Sequence, residues 1–268
     1  MRMHVEGAVA SDVGCVRKVN EDSARLVSSG GEAGEGGGWL AVVADGMGGH
    51  SAGDLASRMA VDTISRQFQW GSGQPAQALL EAVQAANRSI FEEAKGAEAL
   101  SGMGTTCTAL VLADWQAYLG HVGDSRLYLV RAGDIYCMTE DDSSVMEMVR
   151  QGMITREEAR SHVDRNVILR ALGTRPQVEV SSWARPFPVR EGDRFVLSTD
   201  GLHDVVQDDE IRDAVLTLGR HQACARLIAT ARQRGGPDNI TVVVLEVASG
   251  GRPPDEPKST RVLEEPSP

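Results

Sequence analysis

The sequence lacks a basic surplus, a long apolar run, a cysteine pair and a histidine pair, and each absence excludes something. Lysine plus arginine total 27 against 38 aspartate plus glutamate, a formal net charge of −11. Nucleic-acid binders ordinarily carry the opposite imbalance, so no nucleic-acid partner is expected. A membrane span needs about 20 consecutive apolar residues, and no stretch approaches that length, so no membrane partner is expected either. The amino terminus, MRMHVEGAVASDVG, is interrupted by Glu6 before any signal-peptide core can form, which points to a cytoplasmic chain. Cys15, Cys107, Cys137 and Cys224 are widely spaced with no C-x-x-C pair, a pattern of reduced thiols rather than of a disulfide framework or a zinc site. The histidines are few and scattered, with no H-x-x-x-H spacing. His121, on a strand, reads as a core or supporting residue.

What is present is ordinary globular composition, 41% hydrophobic and 24% charged over 268 residues. Five of the ten prolines fall in the last sixteen residues, so 249–268 reads as a disordered tail behind one domain over 1–248. Ser259-Thr260-Arg261 in that tail is a candidate docking or phosphorylation segment, an inert terminus being the simpler reading. The run GGEAGEGGG at 30–38 is followed by no GK[ST] and reads as a hairpin loop rather than a phosphate cradle.

Strand-like runs lie at 5–10, 39–44, 105–112, 117–122, 127–130, 194–198 and 240–247, of which 39–44 and 240–247 read as buried on both faces. Ser51-x-x-Asp54 opens a helix with Leu55, Met59, Ile64 and Phe68 on one face. A second helix covers 75–95 with Leu79, Val83 and Ile90 inward. Ser144-x-x-Glu147 and Thr155-x-x-Glu158 open two short helices, and 208–218 and 221–234 hold two more. Strands cluster, then helices, then strands again. That order favours an α+β fold with antiparallel sheets over a doubly wound parallel sheet.

Four acids stand beside glycine at strand ends: Asp45 before Gly46, Asp124 after Gly123, Asp200 before Gly201, and Asp238 after Gly235-Gly236-Pro237. One such acid is commonly a turn residue. A carboxylate at the rim of an apolar strand is costly unless it is solvated, paired or bound to a cation. If the strands share a sheet, all four can meet at one edge, and an all-oxygen set suits magnesium or manganese rather than zinc.

These residues, in order, resemble the metal-dependent serine/threonine protein phosphatases of the 2C type in their compact bacterial form. The matching stretches are Ser11-Asp12-x-Gly14-x-x-Arg17-x-x-Asn20-Glu21-Asp22, Ala44-Asp45-Gly46-Met47-Gly48-Gly49-His50, Gly104-Thr105-Thr106, Gly123-Asp124-Ser125-Arg126, Ser198-Thr199-Asp200-Gly201-Leu202 and Gly236-Pro237-Asp238-Asn239-Ile240-Thr241. Each is weak alone; six in order are specific. The resemblance implies a central antiparallel β-sandwich flanked by helices, a four-layer αββα arrangement with a helical flap, and two Mn2+ or Mg2+ ions at one end with a weaker third. By position, Asp45 bridges the ions, the Gly46 carbonyl binds the second, and Asp200 and Asp238 complete the first. Glu21 acts through water, Asp124 with Asp200 matches the third site, and Arg17 grips the substrate phosphate. Asp22 and Asn239 orient the ligands. The implied reaction is hydrolysis of phosphoserine and phosphothreonine in proteins by a metal-bridging water, opposing a Ser/Thr kinase, by a monomer.

Two departures from that pattern stand out. Met47 occupies the position where eukaryotic members carry a histidine proposed as the leaving-group acid, so that role passes to solvent at the metals; His50 reads as a packing residue. In the flap, about 139–173, Thr139-Glu140-Asp141-Asp142-Ser143 replaces the common Thr-x-Asp-His-Ser, and His162-Val163-Asp164-Arg165-Asn166 lacks a proline. Thr139, Asp141 and Arg165 read as flap anchors. The rival readings are a phosphatase-like scaffold without turnover and a two-metal hydrolase of small phosphoesters.

Overall fold

The computed structural model describes residues 2–30, 37–48, 51–160 and 162–249. The tail, residues 31–36 of the glycine-rich loop and His50 lie outside the described residues. Among the described residues eleven strands form two sheets: β1 Met3–Asp12, β2 Asp22–Ser28, β3 Trp39–Met47, β4 Gly104–Thr105, β5 Cys107–Ala113, β6 Gln116–Val122, β7 Arg126–Arg131, β8 Asp134–Cys137, β9 Phe187–Pro188, β10 Arg194–Ser198 and β11 Ile240–Ser249. One sheet runs β1-β11-β10-β7-β8. The other runs β2-β3-β5-β6-β9, with β4 pairing the end of β3. Every pairing is antiparallel, as the order of elements predicts.

Side chains alternate across a strand, and here both faces are apolar because each sheet is covered twice. Leu40, Val42 and Ala44 of β3 face the helical side with Cys107, Ala109 and Val111 of β5. Ala41 and Val43, with Leu110 and Leu112, face the opposite sheet. On the other sheet Val242 and Val244 face helices while Val243 and Leu245 face inward. Three apolar layers therefore separate four structural layers, in the order helix, sheet, sheet, helix. Burial on both faces extends beyond β3 and β11: β5 is buried from Cys107 to Leu112. The alternating Thr108 had obscured it, and its hydroxyl is satisfied internally by the Ser125 carbonyl at 2.8 Å.

Two helices, α1 Ser51–Gln67 and α2 Pro75–Gly96, cover the β3–β5–β6 face. The inward stripe of α1 is Ala52, Ala56, Ala60 and Ile64, with Leu55 and Met59 only partly buried at its flank. Small residues let this helix lie close to the sheet. In α2 Leu79, Val83 and Ile90 point inward as expected. The flap holds α3 Ser144–Arg150 and α4 Arg156–Arg160. The cap of α3 is Ser143 rather than Ser144: its hydroxyl accepts the Met146 N–H at 3.4 Å, while the Ser144 hydroxyl donates to the Asp164 carbonyl. Thr155 and Glu158 form the expected capping box. A one-turn helix, α5 Asp200–His203, follows β10, and α6 Asp208–Thr217 and α7 Arg220–Gln233 cover the second sheet. Among the described residues no helix is long and apolar enough to cross a membrane.

Three strands escape the periodicity reading. Asp22–Ser28 has a mixed, half-buried pattern, and β8 and β9 are short edge strands. The hairpin around the glycine-rich loop is carried by its flanks, where Ser28 pairs Trp39 and the Ser29 N–H meets the Gly38 carbonyl at 3.0 Å.

Candidate active site

Antiparallel register brings the acidic turns to one end of the sandwich. Asp22 opens β2 directly across from Asp45 near the end of β3. Asp12 at the end of β1 pairs Ile240 at the start of β11, and Ser198 at the end of β10 pairs both Val242 and Arg126. Asp238, Asp200 and Asp124 stand just beyond these ends. A sequence cannot display this juxtaposition, because Asp22 and Asp238 stand 216 positions apart along the chain.

Close backbone approach fixes the turns. A Cβ on Gly201 would stand 1.9 Å from the Asn239 carbonyl, and one on Gly46 would stand 2.1 Å from the Gly53 carbonyl. Gly14 adopts φ +79°, and a Cβ there would lie 2.1 Å from the Asp238 carbonyl. At all three positions glycine is required by space, and at Gly14 by torsion as well.

Asn239 is buried and ties three segments together. Its amide donates to the Val13 and Val19 carbonyls at 3.0 Å each, and its oxygen accepts the Glu21 N–H at 2.8 Å. The loop between β1 and β2, which carries Arg17, is thereby fastened to the start of β11. Arg17 Nη2 donates to Asp238 Oδ2 at 2.7 Å, and about half of the arginine side chain remains exposed at 49%. Asp22 Oδ2 accepts the Thr199 hydroxyl at 2.8 Å, and Thr199 in turn accepts the Thr241 N–H. Asp45 is held through its backbone: Thr106 Oγ1 accepts its N–H at 2.9 Å, and the Thr105 hydroxyl donates to its carbonyl at 2.8 Å.

The electrostatics are those of crowded, buried carboxylates, with Arg17 paired to Asp238. Burial first, and then the neighbouring carboxylates, push Asp45 and Asp124 well above the usual carboxylate range. Asp22 and Asp200 are both pushed up to about 7, again chiefly by burial. Asp22 Oδ1, Asp124 Oδ1 and Asp200 Oδ1 are buried with no hydrogen-bond partner. Buried polar atoms are ordinarily satisfied, so a cluster of orphaned carboxylate oxygens marks a place where positive charge belongs. Among the described residues no three His, Cys, Asp or Glu side chains are grouped so that they could hold a metal ion as they stand. The donor set nonetheless fits hard cations: it is all oxygen, from Asp45, Asp124, Asp200, Asp238, Glu21 and the Gly46 carbonyl. His121 is buried, bonded to Thr108 and the Glu140 carbonyl, and burial holds its pKa low.

The flap anchors also find partners. Arg126 grips Asp141 with Nε at 3.0 Å and Nη2 at 2.7 Å, and Thr139 Oγ1 accepts the Leu127 N–H. Arg165 lies within electrostatic reach of Asp204. Sequence reasoning missed Asp204, Thr199 and Asp142. Asp204 follows Asp200 by one helical turn, its N–H bonded to the Asp200 carbonyl at 2.9 Å, a spacing that a recognised helix at 200–203 would have exposed.

An αββα sandwich thus gathers buried carboxylates at its rim beside a half-exposed arginine. The protein phosphatase 2C family model matches residues 18–237. The chain belongs to this family. It is 41% identical over 241 residues to the serine/threonine protein phosphatase PstP of Mycobacterium tuberculosis, covering 90% of this chain but 44% of that protein. It therefore spans less than half the length of that relative. Against the serine/threonine phosphatase stp of Listeria welshimeri the identity is 36% over 250 residues, covering 91% of this chain and 96% of the other. The crystal structure of the PstP catalytic domain in complex with two manganese ions superposes with a TM-score of 0.79 at 37% identity, covering 92% of this chain and all of that one.

Proposed function

We propose that this chain hydrolyses phosphoserine and phosphothreonine in proteins, using two manganese or magnesium ions held by Asp45, the Gly46 carbonyl, Asp200 and Asp238, with Glu21 through water. The observation that carries the reading is the set of buried carboxylate oxygens without hydrogen-bond partners at the mouth of the sandwich, on Asp124 and Asp200 above all. Bound divalent cations supply an acidified attacking water and offset the charge of the transferring phosphoryl group.

The chain's own residues do the rest. Arg17, oriented by Asp238, presents the remainder of its guanidinium to solvent, where it can take a phosphate dianion in bidentate fashion. Asn239 holds the Arg17 loop in register with Asp238. Asp22, fixed by the Thr199 hydroxyl, stands behind Asp45 and adds negative charge that favours a cation. Asp124, whose carboxyl feels the charge of Asp200, is the residue that would serve a third ion. Side chains able to act as an activated nucleophile are not needed in such a scheme. The partners that follow are phosphoproteins and the Ser/Thr kinase that modifies them, met in the cytoplasm by a monomeric domain. The two exposed free thiols, Cys15 and Cys137, suit that reducing compartment.

Purified protein should release phosphate from a phosphothreonine peptide with manganese, stop in EDTA, and lose activity by roughly a hundredfold or more in Asp200→Ala. Turnover that persists in EDTA would overturn the reading.

A further inference from the structure

The flap contains one buried carboxylate that the chemistry above leaves unused. Asp142 is 5% exposed. Its Oδ2 accepts the Gly123 N–H at 3.0 Å, and its own N–H donates to the Gly123 carbonyl at 2.7 Å. Its Oδ1 accepts a hydrogen bond from Arg170 Nη2, and its carbonyl accepts the Leu169 N–H at 2.7 Å. One residue thus joins the turn before Asp124, the first residues of the flap and the last.

The surroundings make this junction the closure of the flap. Ser143 and Ile168 form a β-bridge, and the Ser144 N–H meets the Val167 carbonyl at 2.8 Å. The described residues between 144 and 167, with α3 and α4 among them, consequently lie between two chain ends that meet at Asp142 and Arg170. Beyond Arg170 the chain bridges Leu172 to Thr105, whose hydroxyl bonds the Asp45 carbonyl. Asn87 pins Gly173 at 2.9 Å. The Gly123 turn, at φ +106°, is pressed from its other side by Thr106, which a Cβ would meet at 2.7 Å. Thr106 and Asp142 therefore grip the turn between them.

A buried carboxylate is stable only with a partner, and here the partner is Arg170, itself steadied by Glu179 at 3.1 Å. Where the common flap pattern has histidine, this chain has an acid, and an arginine 28 residues later meets it. We propose that Asp142 and Arg170 form a clasp that sets the Gly123–Asp124 turn and the flap as one body, making Asp142 a positioning residue. The kinetic part of this assignment rests on the phosphatase reading; the structural part does not.

The test uses Asp142→Asn, Arg170→Met, the double variant and Arg170→Lys in the full chain, with Arg150→Met, an exposed flap arginine, as control. Phosphothreonine-peptide kcat/KM with manganese should fall about tenfold in each of the first two variants, the scale on which outer residues act on a metal site. The double variant should fall no further, and Arg170→Lys should recover most of the loss. Amide exchange should rise in 121–124 and 143–169 of the first two variants, with the rest of the sandwich unchanged. The control should match wild type. Additive losses, or exchange in 121–124 that stays at the wild-type level, would overturn the clasp. So would exchange that rises throughout the sandwich, which would make Asp142 a plain core residue. A wild-type protein without turnover would sink the phosphatase reading, while the exchange comparison would still decide the clasp.

Discussion

Asn239 offers a severe test of how this site is built, because an isosteric change should do more harm than its shape suggests. Replacing it by aspartate keeps the oxygen that accepts the Glu21 N–H at 2.8 Å, but turns the donor to the Val13 and Val19 carbonyls into an acceptor. Two hydrogen bonds at about 1 kcal/mol each are lost. A carboxylate is then forced against two carbonyl oxygens in a buried position beside Asp238. The total for Asn239→Asp comes to about 3–4 kcal/mol, at least as much as the loss of all three bonds in Asn239→Ala, about 3 kcal/mol. In a domain of this size that corresponds to a fall of about 6–16 °C in Tm. Urea unfolding, followed by tryptophan fluorescence and far-UV circular dichroism, would measure the loss directly. The Arg17 loop should loosen as well, lowering phosphopeptide kcat/KM by roughly 10–100-fold even where the protein is fully folded. An Asn239→Asp variant within 1 kcal/mol of wild type by the same urea measurement would refute the claim that donation to Val13 and Val19 fastens this loop.

Two further predictions bear on charge. Asp22 and Asp200 sit at about 7 in the folded chain, whereas an unfolded carboxyl titrates near 4. The metal-free fold therefore binds protons that the unfolded chain releases, and its stability drops as pH rises from about 4 through 7. In EDTA, Tm should increase as pH is lowered from about 8 to about 5.5, and manganese should raise Tm most at the alkaline end; a metal-free Tm that falls steadily over that interval would contradict the assignment. Far from the site, Asp193 is 1% exposed and accepts Arg131 Nε and Nη2 and the Arg190 N–H, each at 2.7 Å. Asp193→Ala should cost about 3 kcal/mol by leaving a guanidinium unpaired, with kcat/KM of the folded fraction unchanged, as thermal unfolding and peptide assays on one preparation would reveal.

Much of this was legible from residue order. Strand 194–198 is predicted residue for residue, and the helices at 75–95, 208–218 and 221–234 fall within a residue or two of their positions. The candidate carboxylates could be picked out because each stands beside a glycine at a strand end. The mixed pattern of Asp22–Ser28 hid an edge strand, since a strand with one half-solvated face has no clean alternation. Asp142 stood out only as a departure from the common flap pattern, because its partner Arg170 and its contact Gly123 lie 28 and 19 residues away.

The sequence by itself determined the fold class and the family, because period-two apolar runs and ordered motifs are local properties. Only the tertiary structure decided which acids confront one another and how strongly. That depends on antiparallel register, which sets Asp22 against Asp45, and on burial, which raises the protonation range of Asp45, Asp124 and Asp200. Charge repulsion inside a low-dielectric rim is a property of distance and solvent access, and neither is written along the chain.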